Sequence, residues 1–331
     1  PNLQLDWSID LWKQLNSSKR AAVERYLATA EGQRILKSQL VADIAENYYA
    51  LVALDNKLNI TLKYIELQKK AVQIARIQKE ADADTQLAVE KFEAELAKAS
   101  ANEYQLRQSI TETENSLNLL LGRFPTPIER NKDAINHQSL PTLQAIPARL
   151  LLQRPDIRRA EHELQAAKWD VEAARRAFLP SLNLSATLGL DAFSPKYLLR
   201  LPESVAFGVL GGLTAPLINK KAIQTNFDQA NAMQLEALYN YDKALLTAYS
   251  DMNTLQSRAH NLSQYQVLKN KQVQSLTRAV TTAQQLYAYN RATYLEVLDS
   301  EREQLDCQTE LIDTQLQQIS TLIDAYRGFF Y

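Results

Sequence analysis

The sequence predicts a mainly α-helical protein in which long helices pair as antiparallel, coiled-coil-like hairpins, accompanied by a few β-strands. Two runs lack both glycine and proline, residues 33–121 and residues 217–327, and they contain 89 and 111 residues. Helices commonly end at glycine and are broken by proline, so both runs can continue as helix. Half of either run would form a helix roughly 65–80 Å long, whereas an ordinary helix has about 11–12 residues. We therefore expect roughly 70–75% helix, against an ordinary share of about 30–35%.

Each of these runs is divided by one short polar break. The breaks are 80–85 (EADADT) and 289–293 (YNRAT). Asp and Asn tolerate a left-handed backbone and compete with helical hydrogen bonding, so a helix can end there without glycine. The predicted helices are 17–80, 86–121, 219–288 and 294–327. They form two hairpins, and both bends are expected at the same end of the molecule.

The two hairpins are related by a predicted internal repeat. Residues 71–89 align with residues 279–297 at a spacing of 208, and apolar and acidic positions coincide along the alignment. Chance similarity between helices rich in Ala and Leu is the alternative. The repeat predicts two domains. The first, 1–147, holds a strand, a hairpin and a linker, with its N-terminal part missing. The second, 148–331, holds a helix, a strand pair and a hairpin.

Alternating residues predict three strands, separated by a linker and a shorter helix. The linker, 122–147, contains four prolines, and the helix runs from about 148 to 177. Apolar and polar residues alternate at 182–190, at 205–215 and, near the start of the chain, at 7–11. Such alternation gives a sheet one apolar and one polar face. The apolar face would be the core of a soluble sandwich or the lipid-facing side of a membrane barrel, and alternation alone leaves both open.

Composition and motif spacing do not indicate an enzyme, a metal centre or a bound cofactor. The chain has 37 basic and 38 acidic residues and a net charge of −1, so it has no bulk attraction for nucleic acid. Three His and one Cys are too few for a His/Cys metal cluster or a disulfide. His137, His162 and His260 lie in unrelated segments with no nucleophile at catalytic spacing. Acid pairs such as Glu301 and Glu303 are expected on solvated helix faces.

A motif that precedes the second predicted strand resembles a known family. Residues 150–164 read LLLQRPDIRRAEHEL. Pro155 can open a helix, and Asp156 suits the positive helix end. With Arg154 and Glu161, this arrangement resembles the TolC family of outer-membrane efflux channels, most closely those that serve RND-type pumps. Three other segments also resemble the family and occur in the family's order: 7–15, 117–125 and 212–223. The resemblance therefore covers essentially the whole chain.

The resemblance implies an assembly, a location and partners. Three copies would share one outer-membrane β-barrel, and their helices would form a long periplasmic tunnel, the α-barrel. The location would be the cell outer membrane, with a long periplasmic portion in contact with a periplasmic adaptor protein and an inner-membrane RND transporter. A signal sequence, often with a lipidated cysteine as in lipoproteins, two helices and one strand are expected before Pro1. We therefore expect the chain to be truncated at its N-terminus.

The resemblance also places the functional residues at the hairpin bends. The candidate periplasmic gate residues are Tyr287, Arg291, Glu296 and Asp299, and the hairpin tips expected to dock the adaptor are Asp82, Asp84 and Asn290. Glu296 and Asp299 would face the pore, and Tyr287 would belong to a latch that holds neighbouring helices together. Asn290 replaces a glycine that is usual in the family and still tolerates a positive φ. A solvated helical turn is the alternative for Glu296, Asp299, Arg291, Asp82 and Asp84.

The function that the resemblance implies is passive transport without a cofactor. The protein would be the exit duct of a tripartite efflux system that exports small molecules, drugs or metal ions, from the periplasm. Two alternatives stay open from the sequence: a soluble antiparallel coiled-coil scaffold, and a duct of the same fold that exports proteins.

Overall fold

The described residues form five long helices and three strands. A computed structural model describes residues 2–82, 85–135, 151–190, 205–215 and 219–329. The helices are α1 (Gln14–Glu80), α2 (Gln86–Leu120), α3 (Pro155–Arg176), α4 (Lys220–Ala288) and α5 (Tyr294–Phe329). The strands are β1 (Asn2–Ile9), β2 (Ser181–Leu190) and β3 (Val205–Thr214). The protein is mainly α-helical, which confirms the predicted fold class.

The hairpin helices α1, α2, α4 and α5 begin and end within three residues of their predicted bounds, but two other boundaries were predicted wrongly. Helix α3 begins at Pro155 instead of near residue 148. The proline disfavours a helical backbone in the residue before it, and Arg154 accordingly has φ −59° and ψ 135°. Strand β1 lies at Asn2–Ile9 instead of 7–11. It stops there because the carboxylate of Asp10 accepts hydrogen bonds from the first turn of α1.

The chain divides into two compact units. The sheet unit consists of 1–35 and 151–248, and the hairpin unit of 36–150 and 249–331. A short 3-10 turn, Lys132–Ile135, lies in the predicted linker and places Ile135 in an apolar cluster of the hairpin unit. Within the described ranges, every helix is too polar or too short to qualify as a membrane-spanning helix.

In the sheet unit, β2 pairs antiparallel with β1 on one side and with β3 on the other. Leu188 lies opposite Leu3 and Phe207, so apolar side chains line up across all three strands. The apolar face consists of Leu3, Leu5, Trp7, Ile9, Leu182, Leu184, Ala186, Leu188, Phe207, Val209 and Leu213. Trp7 is 73% exposed and Phe207 84%. Among the residues that the structure describes, nothing covers this face as the second layer of a sandwich would.

The opposite face of the sheet is mostly polar. Ser8 donates a hydrogen bond to Asn183 Oδ1 at 2.9 Å, and the hydroxyls of Ser181 and Thr214 lie 2.7 Å apart. The predicted alternation is therefore present across neighbouring strands as well as along each strand.

Two connections in the sheet unit are tied to each other at the point where strands meet helices. Lys13, between β1 and α1, has a positive φ of 61°. Its carbonyl accepts a hydrogen bond from Arg176 Nη1 at 2.9 Å, at the end of α3. Trp12 Nε1 donates to the carbonyl of Pro180, just before β2, at 2.8 Å. These bonds fix the start of α1 relative to the end of α3.

Candidate functional site: the two helix bends

The two bends of the hairpin unit have the same backbone design. In the first, Asp82 has φ 52° and Thr85 caps α2, its hydroxyl accepting from the N–H of Ala88 at 3.3 Å. In the second, Asn290 has φ 54° and Thr293 caps α5. Asp82 and Asn290 are 208 positions apart, and so are Thr85 and Thr293. This distance is the spacing of the predicted repeat. A left-handed residue followed three positions later by a threonine cap therefore turns the chain at both bends without glycine.

Glu296 completes a capping box that only the second bend has. Its carboxylate accepts hydrogen bonds from the Thr293 N–H at 2.7 Å and from the Thr293 hydroxyl at 3.0 Å. The hydroxyl in turn accepts from the N–H of Glu296 at 3.4 Å. Both hydrogen bonds from Thr293 lower the pKa of Glu296, the one from the backbone more than the one from the hydroxyl. We missed this structural role, although the Thr-x-x-Glu spacing signals it in the sequence.

The other charged candidates at the second bend are exposed. Asp299 lies three residues after Glu296 on α5, so both carboxylates project from the same side of the helix. Arg291 is exposed as well, and its backbone N–H donates to the carbonyl of Leu286 at 2.8 Å, which closes the end of α4. The bend thus presents two acids and one base to its surroundings.

Tyr287 is placed differently from the other gate candidates, because its side chain is buried between helices. Its ring lies 6.2 Å from the ring of Phe92 on α2, centroid to centroid. Gln78 on α1 donates a hydrogen bond to the Tyr287 carbonyl at 3.3 Å. Tyr287 therefore packs in the core between the hairpins, while Glu296 and Asp299 are exposed.

The cluster around Tyr287, here called the bend core, joins residues from both hairpins. Its buried members are Val72, Ala75, Val89, Phe92, Tyr287, Val297 and Leu298. The bends therefore lie close together in the hairpin unit, as predicted. Phe92 is fully buried at the centre of the cluster and was missed in the sequence, where only its helical spacing from Val89 and Leu96 marks it as apolar core.

The tip candidates are divided between the two bends. Asp82 is exposed in its left-handed conformation, as is Asn290 at the second bend, and Asp84 lies outside the described residues. Near the first bend α1 and α2 are joined by an ion pair of 2.5 Å between Arg76 Nη2 and Glu93 Oε1. The antiparallel hairpin is therefore held by charge as well as by apolar packing.

The family motif forms the start of α3 in the sheet unit. The guanidinium of Arg154 makes two hydrogen bonds to the Asp156 carboxylate, at 3.0 and 2.8 Å. Asp156 also accepts from the N–H of Ile157 at 2.9 Å, and Pro155 is buried at the first helical position. Glu161 is exposed on α3. The geometry of Arg154, Pro155 and Asp156 is that of a helix start.

One prediction about charged residues was wrong. Glu303 is exposed, but Glu301 is only 1% exposed and lies between helices of the hairpin unit. Sequence spacing alone does not reveal that the first hairpin covers this position, because Gln68 on α1 is 233 residues away in the chain.

Comparison with known proteins agrees with this architecture. The family model described as outer membrane efflux protein matches residues 2–123 and 146–326. The solvent efflux pump outer membrane protein SrpC of Pseudomonas putida is 30% identical over 324 residues, covering 97% of this chain and 68% of SrpC. The cation efflux system protein CusC of Escherichia coli O6:H1 is 27% identical over 303 residues, covering 91% of this chain and 65% of CusC. The chain thus spans about two thirds of the length of these relatives.

Solved structures share the fold. A structure of CusC superposes with a TM-score of 0.92 at 25% identity, covering 98% of this chain and 76% of that one. VceC from Vibrio cholerae superposes with a TM-score of 0.89 at 23% identity, covering 100% of this chain and 80% of that one, which shows the fold alone. The family consists of channels of the cell outer membrane, which are not enzymes. The match along nearly the whole chain confirms the resemblance seen at Arg154–Pro155–Asp156, and the protein belongs to the outer membrane efflux protein family.

Proposed function

We propose that the protein is the exit duct of a tripartite efflux system and carries small molecules from the periplasm across the outer membrane. The observation that carries this proposal is the three-stranded sheet, whose apolar face is exposed along all three strands. Among the described strands, β1 and β3 each pair on one side only. Unpaired strand edges need partners, and further copies of the chain would supply them by closing one shared barrel with its apolar face toward lipid.

Family membership supports the proposed partners and the proposed class of transported molecule. A homotrimer would hold the barrel and the tunnel, a periplasmic adaptor would bind the bends, and an inner-membrane RND transporter would supply energy. SrpC is named for solvent efflux and CusC for cation efflux, so exported small molecules, including drugs or metal ions, are favoured over proteins. Family membership and the uncovered apolar sheet both argue against a soluble coiled-coil scaffold.

The gate would lie at the bends. Glu296 and Asp299, exposed on one side of α5, would form stacked acidic rings in a trimer, and Tyr287 would act as a latch through the bend core. Arg291 would belong to the same gate, and the tips Asp82, Asp84 and Asn290 would contact the adaptor.

Cell fractionation tests the proposal. In cells that produce the protein from its native gene, we expect it to sediment with outer membrane, to require detergent for extraction and to cross-link as a trimer, because the apolar sheet face needs lipid. Recovery from the soluble fraction without detergent would contradict the proposed function and favour a scaffold.

A further inference from the structure

A buried polar network lies beside the bend core, and its central group is Glu301 on α5. The two carboxylate oxygens of Glu301 accept hydrogen bonds from Gln68 Nε2 on α1 and from Gln284 Nε2 on α4, each at 2.7 Å. Gln68 is fully buried. One carboxylate therefore connects three helices from both hairpins, close to the second bend.

A second buried carboxylate, that of Glu95, binds the guanidinium of Arg302. Glu95 on α2 accepts from Arg302 Nε at 2.8 Å and from the Tyr64 hydroxyl at 3.1 Å. Arg302 also donates to it through Nη2. Among the described residues, Glu301 has amide donors only and makes no ion pair. A buried carboxylate without a counter-ion is costly when charged, even when it is hydrogen-bonded.

The surroundings of Glu301 are mostly apolar. Its side chain forms part of the wall of a pocket of about 160 Å³, together with Phe92, Tyr287 and Val297. Lys70 is the one basic residue among the described residues of this wall. The titratable groups that surround Glu301 are thus Lys70 and Tyr64 on α1, Glu95 on α2, Tyr287 on α4 and Arg302 on α5, while α4 also contributes the amide of Gln284.

We propose that Glu301 is a proton-sensitive positioning residue, which sets how tightly the second bend packs against the first hairpin. The protonated acid would keep the network closed, and the charged form would loosen it. Gln68 supports this assignment, because its Oε1 is buried and has no hydrogen-bond partner among the described residues. A half-turn of the Gln68 amide would present this oxygen to the proton of a neutral Glu301. The proposal rests on the proposed function in one respect, which is that the channel gate lies at the bends.

The direction of the pH effect follows from the burial. Burial raises the pKa of Glu301 above its ordinary value of 4.5, the charge of Glu95 raises it further, and the two amide hydrogen bonds act against the rise. A raised pKa means that the packed state binds the proton more tightly than an opened state does. Packing at the bend should therefore strengthen as the pH falls toward the ordinary value, and weaken as the pH rises through the raised pKa.

Amide hydrogen exchange of the segment 289–300, in protein purified in detergent, tests this inference. Exchange in this segment reports local opening of the bend. Comparing each variant with the parent at the same pH cancels the chemical pH dependence of exchange. Glu301→Gln keeps the shape and removes the charge, so it should exchange severalfold more slowly than the parent at about pH 8 and equally at about pH 5. Glu303→Gln, the same change at an exposed position of α5, should match the parent at both pH values.

The proposal would be overturned if the exchange rate of the Glu301→Gln variant, divided by that of the parent, were the same at both pH values. Glu301→Met gives a second neutral side chain of similar length, in case the Gln variant does not fold. If neutral variants open faster than the parent at both pH values, Glu301 is a structural group with no proton-sensitive role. The measurement needs no transport, so its failure leaves the proposed duct function standing, whereas a soluble protein in the fractionation experiment would refute the duct and not the network.

Discussion

Phe92→Ala should lower the free energy of unfolding of the protein by about 3–5 kcal/mol. The ring is fully buried in the bend core and contacts residues of both hairpins, including Tyr287. Removing it loses the transfer energy of the ring and leaves a cavity that the long helices can fill only in part. The loss should appear as an earlier transition in chemical denaturation followed by circular dichroism. The bends should also splay apart more easily, which would raise channel conductance.

Phe124→Ala is the matched control, because Phe124 follows α2 and is 90% exposed. The same truncation there should change the free energy of unfolding by no more than about 0.5 kcal/mol. Equal losses for the two variants would show that the bend core does not hold the hairpins together.

Leu184→Arg should cost about 2–4 kcal/mol if the residue lies near the bilayer midplane. Leu184 is at the centre of the apolar face, on the middle strand between Trp7 and Gly211. A guanidinium there would have to enter lipid or pull the strand out of the sheet. The amount of trimer in the outer-membrane fraction, measured by cross-linking and immunoblotting, should fall sharply.

Asn183→Arg is the control on the neighbouring residue and the opposite face. Asn183 is exposed and accepts a hydrogen bond from Ser8, so this change should cost little more than that bond, about 0.5–1.5 kcal/mol. Normal trimer levels for Leu184→Arg, with Asn183→Arg as the damaging change, would mean that the polar face is the one toward lipid.

The long helices could be predicted from sequence because local chemistry decides where they end. Asp82 and Asn290 adopt left-handed backbone, and a threonine three residues later starts each following helix. Alternation likewise predicts which strand residues share a face, because the strand period is two. What the apolar face contacts is a question of assembly, and the residue pattern left it open until the structure showed the face uncovered.

The packing between hairpins could not be predicted in the same way. Glu301 is hydrogen-bonded by residues 17 and 233 positions away in sequence, and the rings of Phe92 and Tyr287 meet although they lie on different hairpins. Periodicity shows that a helix has an apolar face, but the register between two long helices decides which polar residue falls inside it. Glu301 therefore looked like an exposed acid, although it is buried.

Ion selectivity in planar lipid bilayers tests most directly whether the protein is a duct with its gate at the bends. Carboxylates close to a threefold axis repel one another, by about 4 kcal/mol per pair at 4 Å with an effective dielectric constant near 20, so acidic rings should attract cations. Glu296 also caps α5, so the test variant should remove its charge and keep the cap. Glu296→Gln with Asp299→Asn does this, because glutamine can also serve in a capping box. Glu303→Gln with Asp306→Asn is the control, as both residues are exposed on α5 at the same spacing.

The parent protein and the control variant should form low-conductance, cation-selective pores that divalent cations block. Glu296→Gln with Asp299→Asn should lose most of this selectivity and of the block, while keeping the fold. Absence of any pore in the parent protein would contradict the duct itself. Full cation selectivity and divalent block in the Glu296→Gln, Asp299→Asn variant would contradict a gate at the bends.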